Sequence, residues 1–298
     1  MKSNENNEHN FSLATETKNI LQKHGIRLNK NLGQNYLIDD YKRKKIINFA
    51  NISKNDTILE IGPGIGTLTI ELSKKAKKVV AIEQDKKIFE ILFERIQEEN
   101  ISNIELINDD ALNVEISTFS KSNKIVSNLP YQISSPITFK FLEFDFDLAI
   151  LMYQKEFANR MIAKVGDKNY SRLSAMLHFK TSIEFLDNIS PQSFIPQPKV
   201  NSSVVKLTPI RNESFFSNKT NENDYSLICR ALFPHKNKKI RNALIDSRNI
   251  LGYSDKKILR DLLDSSPELE SFLVKRVVKT SPEEILELTN LIKPILWG

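Results

Sequence analysis

The 298-residue sequence has a single cysteine, Cys229, which excludes an intrachain disulfide framework and any CxxC metal site. Its four histidines (His9, His24, His178 and His235) are scattered along the chain, which argues against a zinc centre, and no metal is expected. No apolar run approaches the roughly 20 residues needed to cross a bilayer, so no membrane partner is expected. The opening "MKSNENNEHN" is polar and carries Glu5 and Glu8, unlike a secretory signal or an acid-poor transit peptide. Residues 1–10 are therefore expected to form a disordered tail, and the lone thiol fits a reducing, cytoplasmic setting. Glycine is scarce as well. Of only eight, Gly62, Gly64 and Gly66 fall within five positions of "EIGPGIGTLTIEL", Glu60 to Leu72.

What is present is enough for a full core. Hydrophobic residues make up 40% of a 34.3 kDa chain, a size that predicts two domains. The net charge of +6 and a pI near 9.1 point weakly to a polyanionic partner. The distribution of that charge says more. Between Arg230 and Arg248 lie Lys236, Lys238, Lys239 and Arg241 against one acid, Asp246. A solvated helix face would look similar.

Short apolar runs, "TILEI" (57–61), "KVVAIE" (78–83), "IELIN" (104–108), "KIVSN" (124–128) and "FDLAILM" (146–152), alternate with helical patterns. In "KKIFEILFERIQEE" the residues Ile88, Ile91, Leu92, Phe93 and Ile96 recur at roughly helical intervals. This alternation predicts βαβ units around a parallel sheet, with ligands held beyond the carboxyl ends of the strands. Further on, "YSRLSAMLHFK" (170–180) reads as helix, and "TSIEFLDNI" and "SSVVKLTPI" as strands. "SPQSFIPQPKV" (190–200) has three prolines and reads as a stiff irregular loop. "RNESFFSNKTNEND" reads as a polar linker, and beyond it only helical patterns occur, ending in "SPEEILELTNLI" with Ser281 as N-cap and Pro282 at the first helical position. The expected organisation is an α/β domain over 11–208 and a smaller all-helical domain over 209–298.

The glycine loop follows a strand and opens a helix. Bare backbone at Gly62, Gly64 and Gly66 permits positive φ and lets a ligand lie against the main chain. No Gly-Lys-Ser/Thr follows, so this is not a P-loop, and Thr67 stands where a dinucleotide fingerprint wants glycine. A nucleoside-type cofactor without an essential pyrophosphate contact remains. Glu83 ends the next strand, where an acid accepts ribose hydroxyls; taken alone it fits NAD as well as S-adenosylmethionine. After the third strand, Asp110 of "NDDAL" is placed to accept from an adenine amine, although Asp109 and Asp110 could equally cap a helix.

The fourth strand ends in "NLPY", Asn128 to Tyr131. An adenine amine is a poor nucleophile because its lone pair is delocalised into the ring. The Asn128 side-chain oxygen and the Leu129 carbonyl would accept its N–H bonds and favour pyramidal nitrogen. Pro130 fixes the turn that aims this carbonyl, and Tyr131 offers a ring for the base to stack on. A methyl on a sulfonium needs no general base before transfer, so catalysis would rest on positioning and preorganised dipoles.

In this order, "NLGQNYLID" (31–39), "EIGPGIGTLT" (60–69), "AIEQD" (81–85), "NDDAL", "NLPYQIS" (128–134), "YQKEFANRM" (153–161), "YSRLS" (170–174) and "FIPQPKVNSSVV" (194–205) resemble the small-subunit rRNA adenine N6,N6-dimethyltransferases. The erythromycin-resistance methyltransferases of large-subunit rRNA share several of these blocks. "YQKEFANRM" with "FIPQPKV" and the helical C-terminal region favour the small-subunit enzymes. The resemblance implies a Rossmann-like class I methyltransferase domain using S-adenosyl-L-methionine. It also implies dimethylation of two adjacent adenosines in the 3′-terminal hairpin of small-subunit rRNA, with the small ribosomal subunit or its precursor as partner and a role in its biogenesis. By family pattern Asn35, Leu37, Gly62, Glu83, Asp110 and Asn128 contact the cofactor. Asn128, Leu129 and Tyr131 present the amine, and Phe194 stacks on the flipped base opposite Tyr131. Lys236, Lys238, Lys239, Arg241 and Arg248 are expected to touch RNA phosphates. Relatives often carry a run like RRKT before an RN pair where this chain reads "HKNKKIRNAL", so ionic contacts are expected there rather than bidentate ones. A monomer is expected. Two other readings stay open: a DNA adenine methyltransferase, and a non-catalytic RNA-binding assembly or transcription factor on the same fold.

Overall fold

The computed structural model describes residues 12–26, 35–211 and 219–297. The expected tail at 1–10 and positions 212–218 of the expected linker lie outside the described residues. In chain order the elements begin α1 (Leu13–Lys23), β1 (Tyr36–Leu37), α2 (Asp40–Phe49), β2 (Thr57–Ile61), α3 (Thr69–Lys75), β3 (Lys78–Glu83), α4 (Lys86–Glu98) and β4 (Ile104–Asn108). Next come α5 (Ile116–Phe119), β5 (Lys124–Asn128), α6 (Ser134–Phe141), β6 (Leu148–Gln154), α7 (Lys155–Met161), α8 (Arg172–His178), β7 (Thr181–Ile189), β8 (Phe194–Ile195) and β9 (Ser202–Pro209). The chain closes with α9 (Lys219–Leu232), α10 (Ile240–Asp246), α11 (Lys256–Asp264), α12 (Glu270–Leu273) and α13 (Pro282–Trp297).

Seven strands form one sheet in the order β4-β3-β2-β5-β6-β9-β7, and the contacts from β4 to β6 are parallel. β9 runs antiparallel to β6. The near-continuous apolar runs of β2, β3, β5 and β6 have the pattern of strands covered on both faces. Ile58, Val79, Ala81, Val126, Ile150 and Met152 supply one covered face, where they pack with Ile46 and Ile47 of α2 and Leu72 of α3. The order places β2 between β3 and β5, so the chain reverses direction across the sheet at β2. In open α/β sheets the ligand crevice lies at such a switch point.

Local capping follows the sequence. The Asp39 carboxylate accepts from Lys42 N–H at 3.1 Å to start α2, and Asp85 accepts from Lys87 and Ile88 N–H to start α4. Ser281 and Glu284 cap α13 reciprocally: Glu284 N–H donates to Ser281 Oγ, and Ser281 N–H donates to Glu284 Oε2. On α4, Ile88, Ile91, Leu92 and Ile96 are buried as expected, but Phe93 is half exposed and stacks on Phe89 instead.

Three boundaries differ from expectation. The proline-rich stretch is not wholly irregular, because Phe194 and Ile195 form β8 and pair antiparallel with β1. α9 begins at Lys219, inside the stretch expected to be linker. The chain also divides otherwise than at one cut near 209. One compact unit holds the chain through Ala158 plus Glu184–Pro209; the other holds Asn159–Ile183 plus the chain from Ile210. The expected α/β domain therefore cedes 159–183, because α8 packs with the helices that follow. Tyr225 Oη of α9 donates to the Ala175 carbonyl at 3.0 Å, and Tyr170 Oη donates to the Thr280 carbonyl at 3.0 Å. Cys229 is buried in this second unit, and burial pushes its thiol up to about 12, which leaves it unreactive.

Candidate active site

A pocket of about 1000 Å³, counted with its open mouth, lies in the first unit beyond the carboxyl ends of β2, β3, β4 and β5. The loop after β2 forms its floor. Gly62, Gly64 and Gly66 all have positive φ, at 67°, 59° and 90°. The crowding at these glycines comes from the protein itself. A Cβ on Gly62 would meet Pro130 Cγ at 3.0 Å, one on Gly64 would meet Tyr36 Cε1 at 2.7 Å, and one on Gly66 would meet Leu92 Cδ1 at 2.5 Å. Bare backbone here lets three neighbouring elements close onto the loop. The expected positive φ is present at all three, and Gly62 and Gly64 also line the pocket.

Glu83 is buried at the end of β3, and both of its oxygens accept backbone N–H bonds. Gly64 donates to Oε2 at 3.1 Å and Asp85 to Oε1 at 2.9 Å. Burial raises its pKa, and those two amides partly offset the rise. The acid thus fixes the glycine loop while lining the pocket. Glu60, inside the apolar run of β2, lines it as well and was not foreseen as a site residue. Burial pushes its carboxyl up to about 8, the Thr69 hydroxyl beside it offsets part of this, and the Glu83 charge adds to it. Its Oε2 has no hydrogen-bond partner among the described residues. A lone carboxylate within five residues of buried strand was the available signal, since such a group is costly to bury without a ligand.

Both acids of "NDDAL" line the pocket. Asp109 is exposed and its Oδ1 accepts from Asp110 N–H at 2.7 Å; Asp110 is half-buried and its Oδ1 accepts from Leu112 N–H at 2.9 Å. Local capping therefore occupies one oxygen of each. The next strand, β5, brings Asn128 to the rim. Its Nδ2 donates to the Asn35 carbonyl at 3.0 Å, which spends one amide donor and fixes the plane of the side chain. Leu129 is buried, and Pro130 packs over Gly62. Tyr131 is half-buried and shares a 2.7 Å hydrogen bond with Ser202 Oγ. Burial raises the pKa of its phenol, which stays neutral.

One expected base contact is placed differently, and one expected cofactor contact is narrowed to the main chain. The side chain of Leu37 is fully buried in the core, so only its main chain can face a ligand. Phe194 is also fully buried in the same cluster. The β1–β8 register sets it opposite Leu37, pointing inward, so in this conformation it shows no face to a base opposite Tyr131.

In the second unit, the five basic candidates do not form a free cationic patch. Lys236 Nζ donates to the Lys168 and Tyr170 carbonyls, Lys238 pairs with Asp246 at 2.7 Å, and Arg248 Nε donates to the Ser254 carbonyl. Arg241 grips Asp264 with two nitrogens. Only Lys239, which is exposed, has no side-chain partner among the described residues. Asp264 is 23 residues from Arg241, so the basic run could not reveal this neutralisation.

Residues 25–265 match the family model described as ribosomal RNA adenine dimethylase. The chain belongs to that family. It is 46% identical over 289 residues to a Methanothermobacter thermautotrophicus protein named "Probable ribosomal RNA small subunit methyltransferase A", covering 95% of this chain and 97% of the relative. A relative of the same printed name from Methanosphaera stadtmanae is 48% identical over 279 residues, covering 94% and 98%. Among solved structures, a dimethyladenosine transferase from Plasmodium falciparum superposes with a TM-score of 0.71 at 32% identity, covering 86% of this chain and 97% of its own. The 23S rRNA methyltransferase ErmE gives 0.60 at 25% identity, covering 87% and 100%. Dimethylases of this family use S-adenosylmethionine, and the Rossmann-like sheet with its helical C-terminal region is the fold expected from the sequence. The family match runs through the glycine loop, Glu83, Asp110 and the NLPY turn, the elements that line the pocket.

Proposed function

We propose that the pocket binds S-adenosyl-L-methionine and that the protein dimethylates N6 of two adjacent adenosines in the 3′-terminal hairpin of small-subunit rRNA, as a step in small-subunit biogenesis. The observation that carries this reading is the Asn128 amide, anchored through Nδ2 to the Asn35 carbonyl beside the acid-lined pocket. With its donor held there, Oδ1 is left as an acceptor for an amine.

The acids suit the cofactor's donors. Glu83, already holding two amides, keeps lone pairs for ribose hydroxyls, and Asp110 keeps its second oxygen for an adenine amine. Glu60, kept protonated by burial and with an unpartnered oxygen, would ionise beside the cationic end of such a ligand. Bound there, the cofactor supplies an electrophilic methyl group on a sulfonium.

The remaining work falls to this chain's own groups. Asn128 Oδ1 and the Leu129 carbonyl accept the two N–H bonds of the target amine and direct its lone pair at the methyl group. Tyr131, tethered by Ser202, offers a ring for the base, and its neutral phenol takes no proton. The amine loses its proton after transfer. Extruding an adenosine from a loop costs little compared with a long duplex. For the second transfer only one N–H remains, so one of the two acceptors must give way to the first methyl.

The test is incubation with methyl-labelled S-adenosylmethionine and small ribosomal subunits lacking the modification, followed by digestion to nucleosides. Label in N6,N6-dimethyladenosine is the expected result. Cofactor binding without that label would overturn the reading in favour of a non-catalytic assembly role. A parallel incubation with duplex DNA should stay unlabelled, and label there instead of in the subunits would favour the DNA enzyme.

A further inference from the structure

The cations expected to hold RNA in the second unit are mostly committed to protein partners, whereas two lysines beside the NLPY turn are not. Lys155 directly follows β6, and Lys199 lies in the chain leading into β9. The β6–β9 ladder pairs Gln154 with Ser202, and Lys155 N–H then donates to the Asn201 carbonyl at 2.9 Å. These bonds bring both lysines to one edge of the first unit. Ser202 in turn holds Tyr131 Oη at 2.7 Å. Register also ties this edge to the reacting end, because Asn128 is paired with Met152, three residues before Lys155. That offset is roughly 10 Å along a strand.

Both lysines are exposed, and neither has an ion pair or side-chain hydrogen bond among the described residues. Lys42, Lys45, Lys78 and Lys124 of this unit pair with acids. Lys77, Lys86 and Lys87 are exposed and without a side-chain partner among the described residues, so what sets Lys155 and Lys199 apart is their place beside the Tyr131–Ser202 bond. The adjacent acid, Glu156, is exposed and pairs with neither lysine. Val200, between Lys199 and Asn201, is 46% exposed and adds an apolar surface. Two unneutralised ammonium groups on the edge that holds Tyr131 through Ser202 fit a phosphodiester backbone, which presents charge on both sides of an inserted base.

We propose that Lys155 and Lys199 form a phosphate-binding lip that holds the RNA backbone on either side of the target adenosine. The inference rests on the RNA-methylating reading above and assigns the electrostatic grip to the first unit. Ammonium groups bind phosphate as point charges without fixed geometry, which lets one lip serve two successive target nucleotides. Each phosphate contact releases condensed counterions, so each lysine contributes to the salt dependence of binding.

The test compares full-length wild type with Lys155→Gln/Lys199→Gln and with Lys238→Gln/Lys239→Gln, on a fluorescein-labelled 3′-terminal hairpin of small-subunit rRNA. Binding is titrated at several salt concentrations, and cofactor affinity and methyl transfer to small subunits are measured in parallel. The lip variant is expected to reduce the slope of log affinity against log salt by roughly 2, about 1 per lysine, and to weaken binding at least tenfold at low salt. Its cofactor affinity should be unchanged, and the 238/239 variant should shift the slope less. An unchanged slope in the lip variant, with wild type still transferring methyl groups, would overturn the lip alone. Wild type that binds cofactor but methylates no RNA would overturn the function reading and the lip with it.

Discussion

Asn128 Nδ2 donates to the Asn35 carbonyl at 3.0 Å across 93 residues of sequence, so the segment before β1 orients the amide that ends β5. This bond distinguishes asparagine from its isosteres. Aspartate at 128 has no donor and would set a carboxylate against the Asn35 carbonyl. Asn128→Ala removes both the anchor and the acceptor.

Accordingly, Asn128→Ala is expected to abolish the first methylation, and Asn128→Asp to slow transfer by about 10²–10³-fold, the usual cost of losing a preorganised polar group. Nucleoside mass spectrometry of treated subunits checks both. Wild-type levels of dimethyladenosine from either variant would remove Asn128 from the chemistry.

Gly64→Ala puts a methyl group 2.7 Å from the Tyr36 ring and forces a side-chain residue to hold φ near 59°. The backbone strain alone costs about 1–3 kcal/mol. Thermal unfolding should show the loss, and a cofactor titration should show weaker binding, because Gly64 N–H also holds Glu83. A second change, Tyr36→Val, should restore only part of the stability, since the backbone strain stays.

Arg95 holds the loop from behind. Its Nη1 donates to the Ile65 carbonyl at 2.6 Å, and its Nη2 pairs with Glu16 of α1 at 2.6 Å. Arg95→Met keeps much of the stem but drops these charge-assisted bonds, which are worth about 1.5–3 kcal/mol each at most. Calorimetric titration should find cofactor affinity lowered about tenfold with near-native secondary structure by circular dichroism. Unchanged affinity would show that the loop holds its shape without the clamp.

Glu60 sets a pH dependence of stability. Its folded carboxyl titrates near 8, against an ordinary value of about 4.5, so between those values the folded state binds the extra proton. Stability therefore falls as pH rises through that window and levels off above it. Glu83, shifted upward by burial as well, acts in the same direction. Glu60→Gln should flatten the curve and raise the melting temperature at pH 8 to 9. An identical pH profile in the variant would show that another group governs it.

Much of the first unit was legible from local pattern. The apolar runs at 57–61, 78–83 and 124–128 match β2, β3 and β5, because buried parallel strands need continuous apolar residues whatever surrounds them. The half-buried edge strand β4 keeps enough of the pattern at 104–108 to be read. The fifth run slid two residues to 148–154, where pairing with β9 fixes its end. The pocket position also followed from sequence, since βαβ handedness brings strand ends to one edge. Phe93 lies off the stripe formed by Ile88, Ile91, Leu92 and Ile96, so it stays half exposed and packs on Phe89.

The sequence by itself determined the strand and helix order, the family and the identity of the residues at the strand ends, because these depend on local periodicity and short motifs. The tertiary structure decided which of those residues are free to act. It buried Phe194 opposite Leu37, neutralised Arg241 with Asp264, assigned 159–183 to the helical unit and left Lys155 and Lys199 unpaired. Each outcome depends on a partner distant in the chain, and a side chain's charge, exposure and hydrogen bonds are set by the groups that folding places beside it.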